Sequence, residues 1–167
     1  MNPKRIVAGI LLIVVAAMII YPPLSTGTVS TRFTGKGVGS ADHLYVTVGL
    51  IELHEDGADN RTGWNQISNK TITLDLMNPK SLADSVVRGT LHTGRYDTIS
   101  IHVASASLVT GSNQTMLALS SEQYSATISL VLKTFSESTI TIQFSFNVTE
   151  AAHTGTLSLM VEATSAS

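Results

Sequence analysis

The sequence contains no cysteine, which excludes disulfides, thiolate metal sites, iron–sulfur clusters and cysteine nucleophiles. Its 167 residues leave room for one ordinary domain and an appendage. Without disulfides, the fold must be stabilised by packing and hydrogen bonds alone. The apolar N-terminal run described below indicates export, and exported proteins without disulfides are more typical of prokaryotes, so we expect a bacterial or archaeal source.

Charge and aromatic side chains are also scarce. Charged residues make up 13% of the chain and the formal net charge is -2, so we do not expect nucleic acid as a partner. The sequence has no Gly-x-Ser-x-Gly elbow, no HExxH helix, no phosphate-binding glycine loop and no paired-carboxylate motif. A catalytic triad whose residues are brought together by the fold would leave no such motif in the sequence. We therefore predict a protein that is not an enzyme, with no catalytic residue and no cofactor.

One long apolar run stands near the N-terminus. Ile6–Tyr21 is apolar throughout, follows the basic pair Lys4-Arg5 and precedes Pro22-Pro23. Basic residues before an apolar run predict a cytoplasmic N-terminus, with the remainder of the chain outside the membrane. A helix over this run rises about 24 Å, against about 30 Å for the hydrocarbon core of a bilayer.

Three interpretations of this run remain open: an uncleaved anchor, a cleaved signal peptide and a pilin-type assembly helix. The run is longer than most signal cores, and the residues after it lack a clean small-x-small cleavage site, which favours the anchor. Its shortness and the absence of Gly or Ala directly after Arg5 weigh against a pilin. We predict that residues 1–24 are a signal anchor in the lipid bilayer, with the spanning residues Ile6, Leu11, Val15, Ile20 and Tyr21.

The residues after this segment divide into two parts. Residues 25–40 are rich in Ser, Thr and Gly and contain few large apolar residues, chiefly Val29 and Phe33. This composition predicts a tether or an edge strand. Residues 41–167 alternate apolar and polar side chains, so we predict that they form the extracytoplasmic domain.

The alternation has a period of two. Leu44, Val46 and Val48 alternate with polar residues, and the apolar set shifts after Gly49, which predicts a strand with a bulge. The same alternation recurs in Ile72–Leu76, Ile99–Val103, Ile128–Leu132, Ile140–Phe146 and Leu157–Val161. Strands with one apolar and one polar face are typical of antiparallel sheets packed face to face. We predict an all-β fold: an antiparallel β-sandwich of Ig-like or Greek-key type with about seven or more strands.

Two connections have their own signals. Asn78 followed by Pro79 predicts the start of a short helix over Pro79–Arg88, which ends at Gly89. Thr134–Ser138 separates two long alternating runs at a distance that suits a hairpin.

Several segments after residue 38 are similar to those of a known family. They are Val46–His54, Gly63-Trp64, Leu74–Met77, Ser81-Leu82, Gly89–Tyr96 with its Gly94-x-Tyr96 turn motif, and Ile99–Ala106. In this order they resemble a prokaryotic family of exported β-sandwich domains of unknown function, over about residues 38–163. The chain departs from the family at Ser40–His43 and Phe144–Asn147, where we expect acidic residues. The resemblance implies a β-sandwich fold and an exported location, and no reaction.

Acidic residues and histidines crowd one turn. His54, Asp56 and Asp59 are weak candidates for a metal site, with support from Glu55 and the more distant Asp42-His43. Their spacing matches no recognised ligand pattern, so a solvated loop is the favoured interpretation. The remaining histidines are His92, His102 and His153. They are scattered, and we interpret them as surface residues.

Two features suggest carbohydrate. Four N-x-Ser/Thr triplets are candidate glycosylation sites, at Asn60, Asn69, Asn113 and Asn147. Trp64 has two interpretations, a stacking platform for a sugar ring or a lid on the core.

The sequence is compatible with three functions. The favoured hypothesis is an accessory or structural subunit of a membrane or cell-envelope assembly, with other membrane or envelope proteins as partners. A second is a filament subunit in which Thr28–Thr34 completes a neighbour's sheet, which requires that this segment is not paired in its own chain. A third is a surface domain that binds sugar or metal around Trp64 or His54.

Overall fold

The computed structural model describes residues 25–166, and within this range it contains eleven strands and two short helices. In chain order these are β1 (Thr26–Val38), β2 (His43–Glu55), β3 (Trp64–Ser68), β4 (Ile72–Asp75), α1 (Pro79–Asp84), β5 (Val86–His92), β6 (Gly94–Thr110), β7 (Asn113–Leu119), β8 (Gln123–Leu132), β9 (Glu137–Asn147), α2 (Val148–Thr154), β10 (Thr156–Leu157) and β11 (Leu159–Ala166). No helix among the described residues is long and apolar enough to cross a membrane. The predicted anchor, residues 1–24, lies outside them.

The strands form two sheets. One has four strands in the order β11-β9-β1-β5. The other has seven strands, centred on the long antiparallel pair of β2 and β6. On its outer sides β3 and β4 follow one another along β2, while β7 and β8 follow one another along β6. β10 extends this sheet beside β7.

The prediction of an all-β fold is confirmed, but the prediction of purely antiparallel sheets is wrong. β1 runs parallel to β9, and β10 runs parallel to β7. The alternation of apolar and polar residues reports that a strand has one buried face. It carries no information about the direction of the neighbouring strand, so it could not predict that both sheets are mixed.

The core lies between the apolar faces that the alternation identifies. Ile140, Ile142 and Phe144 of β9 are fully buried. The predicted bulge in β2 is confirmed, because the register with β6 shifts on both sides of Val48 and Gly49 is skipped.

The prediction that residues 25–40 form a tether or an edge strand is wrong. β1 is an interior strand, bonded to β5 on one side and to β9 on the other. Its glycines mark close packing rather than flexibility. A Cβ on Gly37 would lie 2.4 Å from the Phe146 ring, and one on Gly27 would lie 2.6 Å from the Lys133 carbonyl oxygen. The domain therefore begins at Thr26, well before residue 41.

Two predicted connections are also corrected. Asn78 caps α1 through a hydrogen bond from the Ser81 amide, as predicted, but the helix ends at Asp84. The reason is that Val86 and the residues after it pair with β1 as strand β5. The segment 134–138 is not a hairpin, because β8 and β9 belong to different sheets and this segment crosses between them.

Candidate functional site at the proximal end

One end of the domain lies next to the point where the chain enters it. We call this the proximal end and define it by the start of β1, the end of β2 and the segments 56–63, 92–97 and 133–136. Backbone hydrogen bonds connect these segments. The Thr93 amide donates to the Ser25 carbonyl at 2.7 Å, and the Phe135 amide donates to the Thr26 carbonyl at 3.0 Å. The opposite end of the domain is called the distal end.

His54 lies at the centre of the proximal end. Its side chain is buried, and Nδ1 donates to Asp97 Oδ1 at 3.0 Å. Nε2 lies 3.4 Å from the carbonyl oxygen of Asp59. The hydrogen bond from His54 is the largest of the effects that hold the pKa of the Asp97 carboxyl below its ordinary value. Both ring nitrogens of His54 therefore face oxygen atoms of its own chain.

Trp64 covers His54. The two ring centroids are 5.0 Å apart with a tilt of 58°. The indole Nε1–H donates to the Asn60 carbonyl at 2.9 Å, which anchors the ring to the β2–β3 loop. The backbone directly before Trp64 can pass close to the His54 ring because residue 63 is glycine, and a Cβ there would lie 2.8 Å from His54 Nε2. The contacts therefore favour the interpretation of Trp64 as a lid on the core.

The other metal candidates do not come together. Asp56 is paired with Arg95, with 3.5 Å between Oδ2 and Nε. The Asp59 carboxylate accepts a hydrogen bond from the Arg61 amide at 2.8 Å. Within residues 25–166 no three His, Asp or Glu side chains form a group that could hold a metal ion.

Asp42 and His43 lie at the distal end, roughly 30–40 Å from His54, because most of the length of β2 lies between them. His43 Nδ1 lies 2.7 Å from Asp75 Oδ2, and the Asp42 carboxylate accepts from the Gly111 amide. Each group therefore fastens the start of β2 to a neighbouring segment. The suggested grouping of these residues with His54 is excluded by this distance.

Tyr96 explains the Gly94-x-Tyr96 motif. Its ring is buried, and its hydroxyl donates to the His92 carbonyl four residues upstream at 2.8 Å. Burial raises the pKa of this phenol, and the nearby Glu55 carboxylate raises it further. The motif thus closes the tight connection between β5 and β6 with a hydrogen bond across it.

The carbohydrate candidates are all exposed. Asn60, Asn69, Asn113 and Asn147 lie at the surface together with the Thr of each triplet. Asn60 is at the proximal end, whereas Asn113 and Asn147 are at the distal end. Asn147 also caps α2, because its side-chain oxygen accepts from the Glu150 amide. The amide nitrogen to which a glycan attaches is not used in that bond.

The remaining histidines do not meet one another. His92 and His153 are exposed, and His102 is half-buried on the polar face of β6, 3.8 Å from Glu122.

A polar groove lies away from Trp64, next to the candidate residue Asn69. The groove has a volume of about 760 Å³ and is lined by residues 66–73 and 84–88. It runs past Asn69 between the edges of the two sheets.

Sequence reasoning missed Asp97 and Phe135. Asp97 is 43 residues from its partner His54, but it directly follows the Gly94-x-Tyr96 motif, which was a usable signal. Phe135 is 77% exposed and has a φ of 55°. The sequence signal for Phe135 was an aromatic residue between Thr134 and Ser136, in a segment where apolar and polar residues do not alternate.

Three crystal structures share a likeness with this chain, and each is of "a putative cell adhesion protein". The protein from Bacteroides eggerthii gives a TM-score of 0.37 at 8% identity, covering 85% of this chain and 55% of its own. The Parabacteroides distasonis protein gives 0.36 at 8% identity, with coverages of 84% and 52%. The Bacteroides ovatus protein gives 0.23 at 8% identity, with coverages of 86% and 44%. The chain spans about half the length of these proteins, and likeness at such TM-scores carries no argument about function.

No curated protein matches the sequence. A family model does match it, over residues 26–163, which include all of β1 and the first part of β11. This match begins at the residue where the first strand begins, in agreement with the corrected domain boundary. The chain belongs to the DUF4382 family, described as a domain of unknown function.

Proposed function

We propose that the protein is a non-catalytic β-domain, anchored in a membrane by its N-terminal segment and facing the outside of the cell. It serves there as an accessory or structural subunit of a membrane or cell-envelope assembly. The observation that carries this proposal is the position of β1. Only three residues separate Tyr21, the last residue of the apolar run, from Ser25, and the chain becomes an interior strand at Thr26.

The side chains of the proximal end support a structural role. His54, Trp64 and Tyr96 each direct a polar group to another group of the same chain. Hydrogen bonds that are satisfied internally rigidify a surface, whereas a catalytic group must be directed at a substrate.

Strand donation by Thr28–Thr34 is not supported. This hypothesis required that the segment be unpaired in its own chain, and every residue of Thr28–Val38 is in register with β9. Releasing β1 would also expose the buried side chains of Val29 and Phe33.

Purification from the native membrane in mild detergent tests the proposal. We expect integral membrane or envelope proteins to co-purify at a fixed stoichiometry. Disruption of the assembly should follow deletion of the gene, without loss of a chemical reaction. Recovery of the chain as a lone monomer would contradict the subunit role, and release of the chain by alkaline carbonate would contradict the anchor.

A further inference from the structure

The turn between β8 and β9 presents one exposed aromatic side chain at the proximal end. The turn comprises Lys133–Ser136, closed by a hydrogen bond from the Ser136 amide to the Lys133 carbonyl at 3.2 Å. Phe135 stands at its third position with a φ of 55° and is 77% exposed. Gly and Asn are favoured at such a position, because a left-handed backbone brings the Cβ of other residues too close to the carbonyl oxygen. Phe135 is therefore unfavourable at this position for two reasons: its side chain strains the left-handed backbone, and its apolar ring is exposed to water.

The turn is fastened to the first strand. The Phe135 amide donates to the Thr26 carbonyl at 3.0 Å, and the Thr28 amide donates to the Ser136 carbonyl at 2.9 Å. A Cβ on Gly27 would lie 2.6 Å from the Lys133 carbonyl oxygen, so the turn packs directly on the backbone of β1. Phe135 is consequently fixed beside the entry point of the chain.

The length of chain outside the described residues limits how far this turn can lie from the apolar run. Tyr21 and Thr26 are five residues apart, which corresponds to at most about 18 Å of fully extended chain. The hydrogen bond to Thr26 then places the Phe135 backbone within about 21 Å of the end of the run, however residues 22–25 are arranged.

We propose that Phe135, with Lys133 beside it, contacts the surface of the lipid bilayer and holds the proximal end of the domain against the membrane. This inference rests on the proposed function, because it requires that the N-terminal run be in a membrane. An aromatic ring suits the interface between headgroups and acyl chains, and an adjacent Lys suits the lipid phosphates.

The chemistry of the turn favours lipid over a protein partner. Lys133, Thr134 and Ser136 flank a single apolar ring, whereas a protein interface needs a contiguous surface of several hundred Å². Val38, Met116 and Met160 are exposed as well, but they lie towards the distal end and do not extend the surface around Phe135. Val131, two residues before Lys133, adds one less exposed apolar side chain near the turn. Two side chains remain well short of the area that a protein interface needs.

The absence of native cysteine allows a direct test in the full-length chain. Phe135→Cys and the matched control Met116→Cys, which replaces a 66% exposed apolar residue at the distal end, are each labelled with an environment-sensitive fluorophore. Both chains are reconstituted into phosphatidylcholine nanodiscs with and without lipids that carry a nitroxide near the headgroup. We expect about threefold stronger quenching at 135 than at 116, since interfacial groups lie about 5–10 Å into the headgroup boundary.

A second measurement avoids the label. Phe135→Trp in a Trp64→Phe chain should show blue-shifted emission that brominated lipids quench, while Met116→Trp in the same background should not. Equal quenching at both positions in chains that float with lipid would overturn the proposal and leave the proposed function intact. Chains that do not float with lipid would overturn both. Crosslinking of position 135 to a protein in native envelopes, without quenching in nanodiscs, would assign the turn to a protein partner instead.

Discussion

Tyr96 ties the start of β6 to the end of β5 through one buried hydroxyl. Its bond to the His92 carbonyl spans the connection that begins beside Ser25, where the chain enters the domain. Tyr124 provides a contrast, because its ring is partly buried and its buried hydroxyl has no hydrogen-bond partner among the described residues. The Tyr96 hydroxyl makes a hydrogen bond and the Tyr124 hydroxyl does not, and replacement of either tyrosine by phenylalanine removes only the hydroxyl.

Tyr96→Phe should lower the free energy of unfolding by about 1 kcal/mol, since it leaves the His92 carbonyl without its donor. Tyr124→Phe should leave the stability unchanged or raise it, because it removes a buried hydroxyl that has no partner. Urea titration of the full-length chain in detergent, followed by Trp64 fluorescence, measures both. Equal changes in the two variants would show that the hydrogen bond from Tyr96 to the His92 carbonyl does not contribute measurably to stability.

The Asp97 carboxylate makes the stability of the proximal end depend on pH. Its pKa lies below the ordinary value of 3.8, chiefly because His54 donates a hydrogen bond to it. A lowered folded-state pKa gives stabilisation that is complete above the ordinary value and is lost as the pH falls through the folded value.

Asp97→Asn should therefore flatten the loss of stability below pH 3.8. Glu137 has a lowered pKa as well, chiefly through the hydrogen bond from Ser30, so part of the acid dependence should remain. Urea midpoints measured across this pH range test the prediction, with Glu162→Gln, an exposed carboxylate on β11, as the control. An acid dependence in Asp97→Asn identical to that of the unaltered chain would show that this carboxylate is not involved.

At the scale of elements, the two sheets come close along their edges without a continuous ladder. On one side the Ser165 hydroxyl of β11 donates to the Ser129 carbonyl of β8 at 2.6 Å. On the other side β5 approaches β3 so closely that a Cβ on Gly89 would lie 2.4 Å from the Ile67 carbonyl oxygen. Backbone atoms cannot yield as a flexible side chain can, so this contact fixes the spacing of the sheets.

Gly89→Ala should lower the free energy of unfolding by about 1–3 kcal/mol, because the new methyl group forces the edges of the sheets apart. Gly49→Ala is the matched control, since its nearest neighbour, His102 Nδ1, would be 3.7 Å away. Thermal unfolding of both variants checks this. A Gly89→Ala chain as stable as Gly49→Ala would show that the sheets can separate freely along this edge.

The sequence predicted the strands better than their arrangement. Alternation identified β2 and β9 because a strand with one buried face must alternate. It failed at β1, where glycines that permit close packing resemble those of a flexible tether. The helix α2 was also missed, although Asn147 with Glu150 three residues later and Gly155 at a φ of 71° are ordinary helix boundary signals.

The proximal end could be predicted only in part. His54 and Trp64 were identified as noteworthy, but their roles depend on Asp97 and Asn60, which only the fold brings to them. Asp42 and His43 are near His54 in the sequence and far from it in space, because the strand between them is extended. Proximity along a β-strand is therefore a poor guide to a shared site.

At the scale of the whole molecule, the chain has two different ends. The proximal end holds the entry of β1, the Gly94-x-Tyr96 connection and Phe135. The distal end holds α1, α2 and the exposed triplets at Asn113 and Asn147. If the apolar run is in a membrane, the distal end is the part that is free to contact other envelope proteins or to carry glycans.

The central claim is that the N-terminal run keeps this β-domain attached to the outer side of a membrane. Labelling of single-cysteine variants with a membrane-impermeant maleimide tests it most directly, with Met116→Cys for the domain and Asn2→Cys for the N-terminus. In spheroplasts, we predict that position 116 reacts while the cells are intact, and that position 2 of the same full-length species reacts only after permeabilisation. A chain that reacts at position 116 only after permeabilisation, or a mature chain that has lost position 2, would contradict the account.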